Sequence, residues 1–274
     1  MKNFISPLIA AILFFASCSS ESSDNSKLID SPKIALVDSA EIFIVPAPLQ
    51  ITTFFKQHSV EFQTTFLSDK SVMASTYTTD YYRALNLGIS LVDAGYAALY
   101  DNRQTAIDYL ARVEELATSL RLEPVALKYS ERMKSNVGSP DSLSYLILLM
   151  YNEAQQNLNE GKREKTAFYI GAGCYLEGLA LTTQYEELKA KNEFNQLLAQ
   201  QKMWLDNLTE AITYLEPDEE SQDLFNTFFT LQDCFREIPL TTENNILSCT
   251  YNEGSFARLK KKTIQLRDAV VSNK

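Results

Sequence analysis

Residues 78–100 read TTDYYRALNLGISLVDAGYAALY, and in them Tyr82, Leu85, Ile89, Val92, Tyr96 and Leu99 recur at spacings of three and four. That is the period of an α-helix with an apolar stripe, not the alternation of a strand. Asp101-Asn102 breaks and caps the pattern, and Arg103 to Leu120 resumes it with Ile107, Leu110, Val113, Leu116 and Leu120. Pro124 starts a helix to about Asn136. Ser139-Pro140 places a cap before a proline at the first helical position and opens a helix to Asn159, which Gly161 closes. Arg163 to Ala190 and Glu193 to Leu215 read as long helices, Pro217-Asp218 opens another to Phe235, and Gly254 to Val271 is the last. Upstream, Pro48 to His58 is a short amphipathic helix. Ile246 to Thr250 reads as extended. The expected fold is all-α: an irregular bundle of eight or nine helices, mostly antiparallel neighbours joined by short loops, with a short extended segment near 246–250. Helix starts near 78, 103, 124, 139, 163, 193 and 218 are unevenly spaced, which puts an irregular bundle ahead of a repeat array.

The N-terminus carries a different signal. Lys2 precedes an apolar stretch from Phe4 to Phe15. As a helix its twelve residues rise about 18 Å, short of the ~30 Å hydrocarbon core, so the stretch reads as the apolar part of a signal peptide. It ends in Phe15-Ala-Ser-Cys18. That junction resembles the lipobox of bacterial lipoproteins, in which the cysteine is acylated and becomes the new N-terminus. Residues 1–17 are then the signal, and Cys18 is the lipidation site and the link to a membrane. Acyl chains contribute ~0.8 kcal/mol per buried methylene, and more than one chain makes attachment stable. The expected place is the cell envelope, in the outer membrane, on its periplasmic face or at the cell surface. Residues 18–47 form a tether and lead-in: Ser19 to Ser26 is polar throughout, and Ile34-Ala-Leu-Val37 and Ile42-Phe-Ile-Val45 are short extended runs. Residues 48–274 form the helical domain.

The chain is acidic, with net charge −10. Such a surface repels nucleic acid and anionic head groups, so no nucleic-acid partner is expected. Beyond Cys18 the cysteines are Cys174, Cys234 and Cys249, without metal-ligand spacing. Cys234 and Cys249 flank a loop-like stretch; in an exported protein such a pair can be bridged or free, and both states stay open. Cys174 reads as a small buried apolar residue.

Two segments have the composition of a site. In residues 166–183, TAFYIGAGCYLEGLALTT, Ala167, Gly171, Cys174 and Gly178 fall on one nearly bare helix face. Glycine inside a helix costs ~1 kcal/mol against alanine, so the face needs a cause. Close helix packing at Gly171, Cys174 and Gly178 is one reading; room for a ligand is the other. Glu177 lies within the same apolar run, where a buried carboxylate requires a partner. In the helix from residue 78, Arg83, Asn86 and Asp93 lie roughly to one side. Arg83, Asn86, Asp93 and Glu177 are therefore expected to form a structural polar cluster or, alternatively, a ligand site.

Val45-Pro-Ala-Pro-Leu49, Ala84-Leu-Asn-Leu-Gly88 with Asp93-Ala-Gly-Tyr96, and Leu176-Glu-Gly-Leu179 resemble a group of uncharacterised Bacteroidota lipoproteins. The resemblance runs from about Val45 onward and implies an all-helical envelope domain. It brings no assigned activity. His58 is the sole histidine, which excludes HExxH and zinc sites built on several histidines. Gly171-x-Gly173 sits inside a helix and lacks the third glycine of a dinucleotide fingerprint. No metal, cofactor or catalytic residue is expected. Two functions stay open: a non-enzymatic envelope domain that binds a protein, peptide or glycan or has a structural role, and a small-molecule binder or enzyme with a pocket near Asp93 and Glu177.

Overall fold

The computed structural model describes residues 33–34, 43–44 and 50–273, apart from 137, 187, 189, 190 and 217. The expected signal sequence, Cys18 and the expected Ser-rich tether lie outside these residues. Among the described residues the fold is all-α, with nine helices: α1 (Gln50–Gln57), α2 (Asp80–Leu99), α3 (Arg103–Ser119), α4 (Glu123–Ser135), α5 (Pro140–Glu160), α6 (Glu164–Gln184), α7 (Asn192–Ile212), α8 (Glu219–Phe235) and α9 (Glu253–Ser272). Their starts follow local chemistry. The Tyr82 amide donates to Thr79 Oγ1 at the head of α2. Asp218 with Ser221 and Asn252 with Ser255 form reciprocal capping boxes on α8 and α9. Tight turns after α2, α3 and α5 each use one left-handed residue: Asp101 (φ 55°), Arg121 (φ 59°) and Lys162 (φ 55°).

Helices α2 and α6 form the centre. Every residue from Ala84 to Leu99 and from Ala167 to Thr183 is buried. A helix enclosed all round needs apolar or small residues on every face, and both sequences supply them. The two touch backbone to backbone. A Cβ on Gly88 would lie 2.0 Å from the Ile170 carbonyl oxygen, and one on Gly173 would lie 2.0 Å from the Leu85 carbonyl oxygen. Only glycine permits such an approach. This corrects the expected face. The α6 residues at the Gly88 approach are Ile170, Gly173 and Cys174; Gly171 is buried. Gly178 faces α1, where an added Cβ would meet Ile51 Cδ1 at 2.3 Å. Cys174 keeps its packing role; its thiol donates to the Gly88 carbonyl at 3.5 Å.

Helix α6 ends at Gln184 and not near Ala190. Tyr185 leaves the helix at ψ 77°; its ring packs on Phe55 at 4.5 Å between centroids, and its hydroxyl donates to the Glu61 carbonyl at 2.9 Å. Tertiary contacts of one large side chain thus override helix propensity.

A second correction concerns 236–245. Besides β1 (Lys33–Ile34) and β2 (Phe43–Ile44), strand β3 (Leu240–Glu243) pairs antiparallel with β4 (Ile246–Cys249) in the register Leu240↔Cys249 to Glu243↔Ile246. Asn244 and Asn245 turn the hairpin with φ 51° and 64°, the left-handed pair that asparagine tolerates. Strand β4 lies along α7, so the Cys249 thiol donates to the Asn195 carbonyl at 3.2 Å. Cys234 is buried on α8. Both thiols are free, so the bridge that their flanking positions left open is not formed. In the lead-in, β1 (Lys33–Ile34) pairs antiparallel with β2 (Phe43–Ile44).

Between α1 and α2 a strap runs from His58 to Thr79, carrying two 3-10 turns, Thr64–Phe66 and Ala74–Thr76. It crosses the region where α2, α3, α6 and α9 meet, which is where the polar residues gather.

Candidate functional site

Of the four polar residues expected to cluster, the structure brings two together. Asp93 on α2 and Glu177 on α6 are both 0% exposed, and their carboxyl groups are within hydrogen-bonding reach of each other. Arg83 points elsewhere: it pairs with Asp80 at 3.0 Å and donates from Nε to the Tyr77 carbonyl at 3.0 Å. Asn86 is buried but serves backbone, donating to the carbonyls of Tyr82 at 2.9 Å and Val270 at 3.2 Å.

The cation of the cluster is Arg267 on α9, whose Nη1 contacts both Glu177 carboxylate oxygens at 2.8 Å. The same nitrogen donates to the Phe66 carbonyl at 3.3 Å, and Nε donates to Asp268 at 2.6 Å. Ser68 of the strap donates to Asp93 Oδ2 twice, from its amide at 3.2 Å and its hydroxyl at 2.5 Å. Tyr109 of α3 in turn donates to the Ser68 carbonyl at 2.5 Å. A neighbouring set ties the other end of the strap: Arg112 donates to the Val72 carbonyl and to the Tyr77 hydroxyl, and Tyr77 donates to the Val271 carbonyl at 2.8 Å.

These contacts fix the protonation state. Two carboxylates and one guanidinium would leave a net negative charge away from water, which is costly. One carboxyl therefore keeps a proton. Burial pushes Glu177 well above the ordinary carboxyl range, more than Arg267 lowers it, and the Asp93 charge raises it further. Burial pushes Asp93 up to about 6, against hydrogen bonds from Ser68 and the field of Arg267. The two carboxyls therefore titrate as a pair that shares one proton, and Asp93 Oδ1 is buried with no donor from elsewhere.

Chemically, a carboxyl pair with separated proton affinities is what acid–base catalysis employs. Here no face of the pair is open to solvent. Three cavities among the described residues lie away from the pair. One of about 20 Å³ is lined by Leu110, Val113, Ala126, Met133 and Met150. Another of about 10 Å³ is lined by Leu87, Leu91, Val125, Tyr151 and Ile170. Neither exceeds the space of a water molecule or two. A wider groove of about 490 Å³ on the outer side of α4 and α5 is lined by Lys128, Tyr129, Asn152, Glu153, Gln156 and Asn157. Among the described residues no three His, Cys, Asp or Glu side chains converge on a metal position, and no helix is long and apolar enough to cross a membrane.

Sequence reasoning missed Arg267, Ser68 and Tyr109. Arg267 did leave a signal: with Phe256, Leu259, Thr263 and Val270 it occupies the buried stripe of α9. No protein-family model, curated protein or solved structure matches the chain.

Proposed function

We propose that the chain is a non-enzymatic domain of the cell envelope, held in a membrane by lipid on Cys18 and working through its helical surface, either as a structural element or by binding a protein, peptide or glycan. The observation that carries the non-enzymatic part is the complete burial of Asp93 and Glu177. Their charge and protons are balanced by Arg267 and Ser68, so the pair braces the core and has no face for a substrate. The anchor rests on the Phe15-Ala-Ser-Cys18 junction.

The test is affinity capture of the lipidated protein from its own membranes, with mass spectrometry of the protein and of what accompanies it. Cys18→Ala should leave the membrane fraction or fail to mature; unchanged fractionation and mass overturn the anchor. Capture of a partner should persist in a folded Asp93→Asn/Glu177→Gln double variant, which alters the core and spares the surface. Loss of capture there would move the function to the carboxyl pair.

A further inference from the structure

The α7–α8 hairpin is the longest stretch of the chain without a basic residue. From Met203 to Phe235 it carries eight carboxylates and no Lys, Arg or His, against a net charge of −10 for the whole chain. Cations from outside the stretch reach it at its two ends. Lys165 pairs with Asp218, and Arg236 and Arg258 pair with Asp233. Among the described residues no cation pairs with Asp206, Glu210, Glu219 or Glu220.

The same hairpin exposes large apolar side chains. Met203 (45%) and Tyr214 (61%) stand on the outer face of α7, with Asp206 and Glu210 between them at helical spacing. On α8, Phe229 is 49% exposed and stacks on the half-buried Phe225 at 6.3 Å between centroids. The two faces meet along one seam. Gln232 of α8 donates to Asp206 of α7 at 2.7 Å, and the antiparallel run of the two helices sets Phe229 and Phe225 alongside Glu210 to Tyr214. Aromatic, Met and Arg side chains are the types enriched where proteins meet. Arg236 shows the chemistry within the chain: its guanidinium lies 5.6 Å from the Phe229 ring centroid and pairs with Asp233 at 3.1 Å.

We propose, building on the surface-binding role above, that the outer α7–α8 seam docks a basic amphipathic helix of a partner protein. The apolar face of that helix lies on Met203, Tyr214, Phe225 and Phe229, and its Lys or Arg residues face Asp206, Glu210 and Glu219. Met203 and Tyr214 are eleven residues apart, about 16 Å along α7, which accommodates about three turns of a docked helix. The sign of the charge selects this occupant over others. Unpaired carboxylates repel an anionic lipid surface. A second copy would set the same acidic seam against itself, and like charges across an interface oppose association.

Calorimetric titration of the full-length protein with a short helical peptide of leucine and lysine tests this, with glutamate in place of lysine as the control peptide. The lysine peptide should bind and the glutamate peptide should not. Raising salt from about 0.1 M to about 1 M shortens the screening length from about 10 Å to about 3 Å and should weaken binding several-fold. Phe229→Ser/Tyr214→Ser should raise Kd about tenfold or more, the scale of aromatic anchors at interfaces. Asp206→Asn/Glu210→Gln should weaken binding and flatten its salt dependence. Tyr145→Ser, at an exposed tyrosine on α5, should change neither. A lysine peptide that does not bind overturns the docking face. So does a Kd left unchanged by whichever double variant keeps the wild-type circular dichroism. A native partner that Phe229→Ser/Tyr214→Ser still captures from membranes also overturns this face, while leaving the surface-binding role standing.

Discussion

Replacing Asp93 by asparagine should make the fold less sensitive to pH, by an amount the structure sets. In the folded chain Asp93 rises from an ordinary 3.8 to about 6. At about 1.4 kcal/mol per tenfold in proton affinity, that rise makes about 3 kcal/mol. The sign is that of a raised carboxyl. Its stabilising effect is complete below 3.8 and is lost as pH climbs through about 6, because the unfolded chain gives up the proton first. Asparagine does not titrate and its Oδ1 still accepts from Ser68. The stability of the wild type minus that of Asp93→Asn should therefore fall by about 3 kcal/mol between about pH 4 and about pH 7. Removing Asp93 also frees Glu177 from a neighbouring negative charge, which acts in the same direction. Urea unfolding of both proteins at a series of pH values reads this difference, and the remaining titrating groups largely cancel. Stabilities that run parallel across the range would refute the buried, proton-sharing arrangement.

Arg267→Met removes the cation and leaves the carboxyl pair unmatched; a loss of about 3–5 kcal/mol in denaturant unfolding is expected, and adding Glu177→Gln should recover part of it in a double-mutant cycle. Gly173→Ala should lower the melting midpoint although alanine is the better helix former by ~1 kcal/mol, because its Cβ would sit 2.0 Å from the Leu85 carbonyl oxygen; a raised midpoint would contradict the backbone contact. Gly178→Ala meets only the end of the Ile51 side chain, so it should cost less than Gly173→Ala in the same melt. Thiol titration of the unfolded, unreduced protein should find Cys174, Cys234 and Cys249 all reactive; a disulfide between the last two would leave one.

The helices were readable because their signals are local. Thr79, Asn102 and Asp218 each stand one residue before a helix and accept an amide hydrogen bond, and the stripes between them repeat at the helical period. The hairpin was half readable: Ile246 to Cys249 has strand composition, but its partner Leu240–Glu243 is fully exposed and lacks an alternating pattern. Asn244-Asn245 was the available clue. The end of α6 was not readable, since Tyr185 is drawn out by Phe55 and Glu61, over a hundred positions away (|i−j| = 124 for the Glu61 bond).

The cluster shows where local reading stops. Arg83 and Asp93 are ten residues apart on one helix, about 15 Å along its axis, too far for the two side chains to pair. The arginine that meets Glu177 comes 90 residues later. What sequence does show is need on each side. Glu177 stands in an apolar run, and burying it alone is prohibitive. Arg267 stands on the apolar stripe of α9, where a guanidinium is just as costly without an anion. Each residue demands a partner of opposite charge, but several candidates exist, and Arg83 looked nearer because it was nearer in the chain. Which pair meets is decided by the packing of α9 against α6. That packing also decides the proton count: with one arginine reaching the two carboxyls, a proton has to make up the difference.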